Sequence, residues 1–154
     1  ILISGDANFW YESGGVADVT IRNNTFEDCC TGAKNQAVIL IEPIIKNPAD
    51  QDHPYHKNIT IERNTIKTFD RNLIRASSVE NLVIKDNKFV QTHTFTPIYP
   101  EKKEVEVSYS RDVNITGNSF EGDHTAGIMI DSTGHENLTV DNNRNMILLN
   151  EHEP

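Results

Sequence analysis

The sequence predicts an all-β chain: a right-handed parallel β-helix of about five to six coils with long loop insertions at one corner. Three observations carry that expectation. A nine-residue pattern recurs five times, a second family of apolar strands lies between its copies, and one Asn returns at the same place in every copy.

The copies are "DVTIRNNTF" from Asp18, "NITIERNTI" from Asn58, "NLVIKDNKF" from Asn81, "DVNITGNSF" from Asp112 and "NLTVDNNRN" from Asn137. The shared order is Asp or Asn, apolar, any, Ile or Val, any, any, Asn, any, apolar. Val19/Ile21, Ile59/Ile61, Leu82/Ile84, Val113/Ile115 and Leu138/Val140 alternate with polar residues, which is the period of a strand. The recurrent Asn is Asn24, Asn64, Asn87, Asn118 and Asn143. Asn tolerates the left-handed backbone of a tight turn, and stacked amides bond from coil to coil. Phe26, Ile66, Phe89 and Phe120 then turn back inward. The last copy is degraded, with Asn145 at that place and Met146 after it.

The Asn positions are 40, 23, 31 and 25 residues apart. The shorter intervals suit one bare coil and the longer ones a coil with an insertion. Between copies run "ILIS" at Ile1, "VILIEP" at Val38, "NLIRAS" at Asn72, "EVEVSYS" at Glu104 and "GIMIDS" at Gly127. Each coil therefore reads as strand, turn, strand, Asn turn, return strand. A β-sandwich would not carry the same Asn in every copy, and no capping box leads into a helical period. The whole of residues 1–154 reads as one β-helix domain.

The turn between the first two strands of a coil is short in later coils. It is long in coil one, "GDANFWYESGGVA", and in coil two, "PIIKNPADQDHPYHK". Both insertions leave from the same corner and are expected to be neighbours, and insertions on one face of a solenoid build its binding surface. A third insertion, "THTFTPIYPEKKE", leaves from a different corner and reads as a surface loop or an interface with another domain.

Aligning the second strand family places Ser4, Glu42, Arg75, Ser108 and Asp131 in one column. Coils stack at about 4.8 Å, so Glu42 and Arg75 are expected to pair across adjacent coils. The pair reads either as a ladder of ions or as the polar floor of a site. Carboxylates near this face are Asp6, Glu12, Glu42, Asp50, Asp52 and Asp131, with His53 and His56 beside them. Glycosidases use two carboxylates about 5–5.5 Å apart to retain and about 6.5–9.5 Å apart to invert, and stacked coils offer both spacings. Asp6, Glu12 and Glu42 are the candidate catalytic carboxylates. No metal site is expected, since the His and Asp spacing in "DQDHPYH" matches no strong motif. No cofactor is expected either.

Bulk properties narrow the class. The net charge of −9 without a basic cluster argues against nucleic acid. No apolar run approaches the roughly 20 residues of a membrane span. Cys29 and Cys30 are adjacent, a poor disulfide geometry, and one or both read as small buried apolar side chains. The sequons at Asn58 and Asn137 follow from the repeat and read as structural. The chain starts without Met inside an apolar strand, and no signal peptide is visible, so the expectation is a fragment of a longer enzyme. A solenoid opened at Ile1 is expected to keep company with the N-terminal remainder of its parent or to self-associate through that end.

The stretch "ILISGDANFWYESGGVADVTIRNNTFEDC", residues 1–29, closely resembles a segment of bacterial glycoside hydrolase family 110, and "AVILIEPII" from Ala37 fits the same family more loosely. The resemblance implies an inverting exo-α-1,3-galactosidase, of the kind that removes terminal galactose from blood group B-type glycans, in a secreted or periplasmic setting. It implies the C-terminal part of the family's β-helix, with the catalytic aspartates largely on upstream coils. No adjacent Asp-Asp pair is present here, so the fragment is expected to contribute to a galactose pocket rather than to act alone.

That role suits the chemistry. Galactose presents a C–H face that packs on an aromatic ring, and Trp10 is the candidate platform; the alternative is that Phe9, Trp10 and Tyr11 cap the core edge. Asp6 and Glu12 offer bidentate acceptors to hydroxyls, Asn8 offers a donor and an acceptor, and Glu42 and Arg75 complete the candidate binding set. The other readings are a carbohydrate-binding module without hydrolysis, and a structural β-helix spacer. A uronan lyase or epimerase would call for Lys and Arg at this corner, which is acidic.

Overall fold

The computed structural model describes residues 1–8, 13–29, 33–131 and 136–149. Alternating apolar residues set its strands. Coil one holds β1 (Leu2–Ile3), β2 (Ala17–Arg22) and β3 (Thr25–Glu27). Coil two holds β4 (Ile39–Ile41), β5 (His56–Glu62) and β6 (Thr65–Thr68), and coil three holds β7 (Ile74–Ser77), β8 (Val79–Lys85) and β9 (Lys88–Gln91). Coil four holds β10 (Val105–Ser108), β11 (Arg111–Thr116) and β12 (Ser119–Glu121). Coil five holds β13 (Ala126–Ile130) and β14 (Leu138–Asp141), and β15 (Met146–Leu149) begins a sixth.

Equivalent strands stack in parallel into three sheets. The first sheet runs β1-β4-β7-β10-β13-β15, the second β2-β5-β8-β11-β14, and the third β3-β6-β9-β12. Register stacks like on like: Ile3, Ile41 and Ala76 in one inward column, Ile21, Ile61, Ile84, Ile115 and Val140 in another, and Phe26, Ile66, Phe89 and Phe120 in a third. Most of these side chains are buried, and each fully buried aliphatic contributes about 1.5–3 kcal/mol. The expected parallel β-helix and its five to six coils are what the chain forms.

The Asn column is continuous, and its three central members, Asn64, Asn87 and Asn118, are buried. Asn87 Oδ1 accepts from the backbone N–H of Asn64 at 3.0 Å and from its amide at 3.1 Å. The Asn87 amide donates to the Ile61 carbonyl and to Asn118 Oδ1, both at 2.9 Å. The same four-bond unit repeats at Asn64 and Asn118. The backbone reading needs correction. The left-handed residue is the one before each column Asn: Asn23, Arg63, Asp86, Gly117 and Asn142. The Asp or Asn that opens each copy is left-handed too, at Asp18, Asn58, Asn81, Asp112 and Asn137. The column Asn is selected for its amide, not for its turn.

The degraded fifth copy has a structural meaning. Only Arg144 bridges to the third sheet, at Ser119. Asn145, at φ 56°, then turns the chain straight back, and Met146 enters the first sheet opposite Ala126. Cys29 is exposed, with its thiol over the Glu27 carbonyl, so it is not the buried apolar side chain expected. Its place after β3 puts it on the corner rather than in an inward column. Cys30 lies outside the described residues.

Candidate functional site

The two long insertions do leave one corner, between the first and second sheets, and they are bonded to each other. Beyond β1 and β4 the chain continues side by side. The Glu42 N–H donates to the Ile3 carbonyl at 3.0 Å, Ile44 N–H to Gly5 at 2.7 Å, and Ala7 N–H to Ile44 at 3.0 Å. Asp6 and Ile44 form a parallel bridge. On the return, the Tyr55 hydroxyl donates to the Ser13 carbonyl at 2.6 Å, and Val16 N–H donates to His56 Nδ1 at 3.0 Å. Gly15 permits this closeness: a Cβ there would lie 1.7 Å from the Tyr55 carbonyl oxygen.

The loop-one candidates divide. Asp6 Oδ1 accepts from the Asn8 N–H at 2.9 Å, and the Asp6 N–H donates to the Ser13 hydroxyl at 3.1 Å. Both residues are half-buried at the base of the loop, where Asp6 shapes the turn that presents Asn8. Trp10 and Glu12, with Phe9 and Tyr11, lie outside the described residues. In loop two, Asn47 caps a short 3-10 turn (Pro48–Asp50) and its amide donates to Asp50. His56 is wholly buried, not a surface ligand; burial holds its pKa below the ordinary value, and its Nε2 has no hydrogen-bond partner among the described residues.

The column of polar residues needs one shift. Arg75 stands opposite Leu40 and Glu106, while Ser77 stands opposite Ser108. The true column is Ser4, Glu42, Ser77, Ser108 and Asp131, and Arg75 lies two residues earlier on the same outward face. Both Arg75 and Ser77 point outward, so alternation alone does not separate them. The Glu42–Arg75 pair still forms, diagonally, at 3.8 Å. Arg75 also meets Glu106 at 3.8 Å, and Glu106 meets Lys102 at 3.8 Å. The result is a row of alternating charge across three coils: Glu42, Arg75, Glu106, with Lys102 at its end.

Two hollows lie at this corner, one of them against the row, and both are lined in part by Tyr109. One, of about 280 Å³, lies over the first sheet between Arg75, Glu106, Ser108, Tyr109, Met129 and Asp131. The other, of about 200 Å³, lies where loop two folds down over the corner, between Pro48, Asp52, His53, Tyr109, Arg111 and Glu136. Arg111 is held there by Glu80 at 3.0 Å and faces His53 Nδ1 at 3.4 Å. Glu106, Tyr109 and Arg111 were not among the sequence candidates. Glu106 was legible as the outward residue of "EVEVS"; Tyr109 and Arg111 become site residues only because loop two reaches them.

A second charged cluster sits at the opposite corner, under the third insertion. Glu104, with a side chain 3% exposed, accepts from His124 Nε2 at 2.8 Å and from the Gly127 N–H at 2.6 Å, with Arg71 at 3.9 Å. His124 Nδ1 faces Asp123 at 2.9 Å, and this hydrogen bond holds the Asp123 carboxyl below its usual range. Among the described residues, no group of three or more His, Cys, Asp or Glu is arranged to hold a metal ion.

The comparisons with known proteins agree with this architecture. The family model described as right handed beta helix region matches residues 5–145. Alpha-1,3-galactosidase B of Bacteroides thetaiotaomicron is 43% identical over 126 residues, covering 80% of this chain and 20% of its own. Alpha-1,3-galactosidase A of Bacteroides fragilis is 41% identical over 124 residues, with the same coverage of each. Alpha-1,3-galactosidase B of Akkermansia muciniphila is 42% identical over 97 residues, 62% of this chain and 12% of its own. The chain spans about a fifth of the length of the first two relatives.

Proposed function

The chain belongs to the family of right-handed β-helix regions, and from its relatives we propose that it is a segment of a glycoside hydrolase, an α-1,3-galactosidase of glycoside hydrolase family 110. In this reading the parent removes terminal α-linked galactose, blood group B-type ends included, with inversion and in a secreted or periplasmic setting. The segment supplies part of the sugar pocket. The observation that carries the reading is the identity of about 40% to proteins named for that activity, across four-fifths of the chain.

The corner cleft is consistent with gripping a neutral sugar. The row Glu42–Arg75–Glu106 offers donors and acceptors but cancels much of its own field. Loop one brings Asp6 and Asn8 to the same corner, and Trp10 and Glu12 belong to that loop. The mutual pairing of Glu42 and Glu106 with Arg75 favours one second reading, a module that binds carbohydrate without hydrolysing it.

The parent-length enzyme should release galactose from an α-1,3-linked substrate, with the β-anomer first in the proton NMR spectrum. First appearance of the α-anomer would overturn inversion. Calorimetric titration of the chain with galactose tests the grip. Trp10→Ala and Arg75→Met should each weaken binding several-fold; unchanged affinity in both removes this corner as the pocket.

A further inference from the structure

His56 holds the two long loops together where they return to the second sheet. Its Nδ1 accepts from the Val16 N–H at 3.0 Å. A ring nitrogen that accepts carries no proton, so the proton of the neutral imidazole sits on Nε2. That atom is buried and has no hydrogen-bond partner among the described residues. The fold does not require a histidine at this place. His56 stands opposite Val79 in coil three, and in coil one Val16 directly precedes the Ala17–Lys57 pair. The ring is thus a polar group stacked between two valines.

The neighbouring groups do not answer a positive charge on that ring. Tyr55 meets the imidazole edge-on at 5.2 Å, and its hydroxyl is taken by the Ser13 carbonyl. On loop one, residues 13–17 carry no ionisable side chain, and Asp6 at the base of the loop is turned to the Asn8 N–H. At the start of β2, Asp18 is exposed and accepts from the Asn58 amide. On β5, Lys57 is exposed. On β8, Glu80 pairs with Arg111, which also faces His53 of loop two. A second proton, on Nδ1, sets one N–H against another inside an apolar column.

We propose that His56 is an acid-sensitive pin, whose protonation releases the return of loop one, residues 13–16, from loop two. Once released, the ring meets water and titrates near its ordinary 6.5, whereas burial holds the docked ring lower. Docking is therefore favoured in full above pH 6.5, and it weakens by up to about tenfold per pH unit as pH falls from there towards the docked value. Loop one carries Asp6, Asn8, Trp10 and Glu12, so its release loosens one side of the proposed sugar cleft. That consequence rests on the galactose reading above, and the pin itself does not.

Amide hydrogen exchange of the chain, followed by NMR and divided by the intrinsic rate at each pH, tests it. Protection of the Val16 N–H should fall about tenfold between about pH 7.5 and about pH 5.5. Protection of the Lys88 N–H, bonded to the Asn64 carbonyl at 2.9 Å, should stay within about twofold. His56→Gln has no proton to gain and should hold Val16 flat over the same range. Nitrogen NMR of the labelled imidazole needs no variant and should find the proton on Nε2 at the higher pH. Val16 protection that ignores pH, a parallel fall at Lys88, or a neutral ring protonated on Nδ1 overturns the pin. Galactose titrated at the two pH values should bind more weakly at the lower one in the natural chain and equally in His56→Gln. Galactose binding at neither pH removes the galactose reading and spares the pin, which the exchange rates alone decide.

Discussion

Truncating Asn87 to Ala should be costly, as should the same change at the equally buried and equally bonded Asn64 and Asn118. The Asn87 side chain is 1% exposed and serves four hydrogen bonds, two accepted and two donated. Its removal strands the Asn64 N–H, one amide proton of Asn64 and one lone pair of the Ile61 carbonyl. Asn118 Oδ1 keeps the backbone N–H of residue 87. A buried group left without its partner costs about 1–3 kcal/mol, so three sum to roughly 3–6 kcal/mol when the lower half of that range is used. That is a large share of a total stability of about 5–15 kcal/mol. Asn24 is the internal control. It occupies the same turn position, but it is exposed and its amide only donates, to Arg22 and to Asn64. Asn24→Ala should cost less than about 1 kcal/mol. Urea unfolding followed by circular dichroism, with the slope checked for constancy, measures both. Equal losses at the two positions would refute the reasoning, because burial and stranded partners would then not govern the column.

Two further outcomes follow from the buried ionisable groups. Glu104→Ala leaves the Gly127 N–H, His124 and Arg71 facing an uncompensated gap, and should cost about 3–5 kcal/mol; Glu104→Gln, which keeps an acceptor for Gly127, should cost clearly less in the same urea experiment. His56 has a folded-state pKa lowered by burial from 6.5, so its contribution is present in full above that pH and is lost as pH falls through the folded value. Stability measured from pH 8 downward should therefore drop below about pH 6.5 in the natural chain and flatten in His56→Gln; parallel profiles would count against it.

Much of the fold was legible because a solenoid repeats its physics. Each coil solves the same burial problem as its neighbour, so inward Ile and Val recur at fixed places, and one stray residue does not hide the pattern. Asn64, Asn87 and Asn118 stood out for the same reason. What the repeat did not reveal was which backbone position turns. The left-handed conformation falls on Arg63 and Asp86 as well as on Asn23, residue types that do not announce it. Likewise Ser77, not Arg75, occupies the column of Glu42, because both are outward residues of one short strand and only the hydrogen-bond register separates them.

The candidate site was legible in part. Its corner was readable from two long insertions at equivalent places, and the Glu42–Arg75 pair from coil stacking. The amino-acid sequence by itself determined the coil, the amide column, the corner that carries the loops and the kinship to α-1,3-galactosidases, since each is written as a local pattern or a run of identities. The tertiary structure alone decided that loop two folds over coils three to five, that His56 lies buried against the return of loop one, and that Tyr109 stands between two hollows. Those facts depend on contacts between residues tens of positions apart in irregular loops, where no period constrains the chain and only packing selects the neighbours.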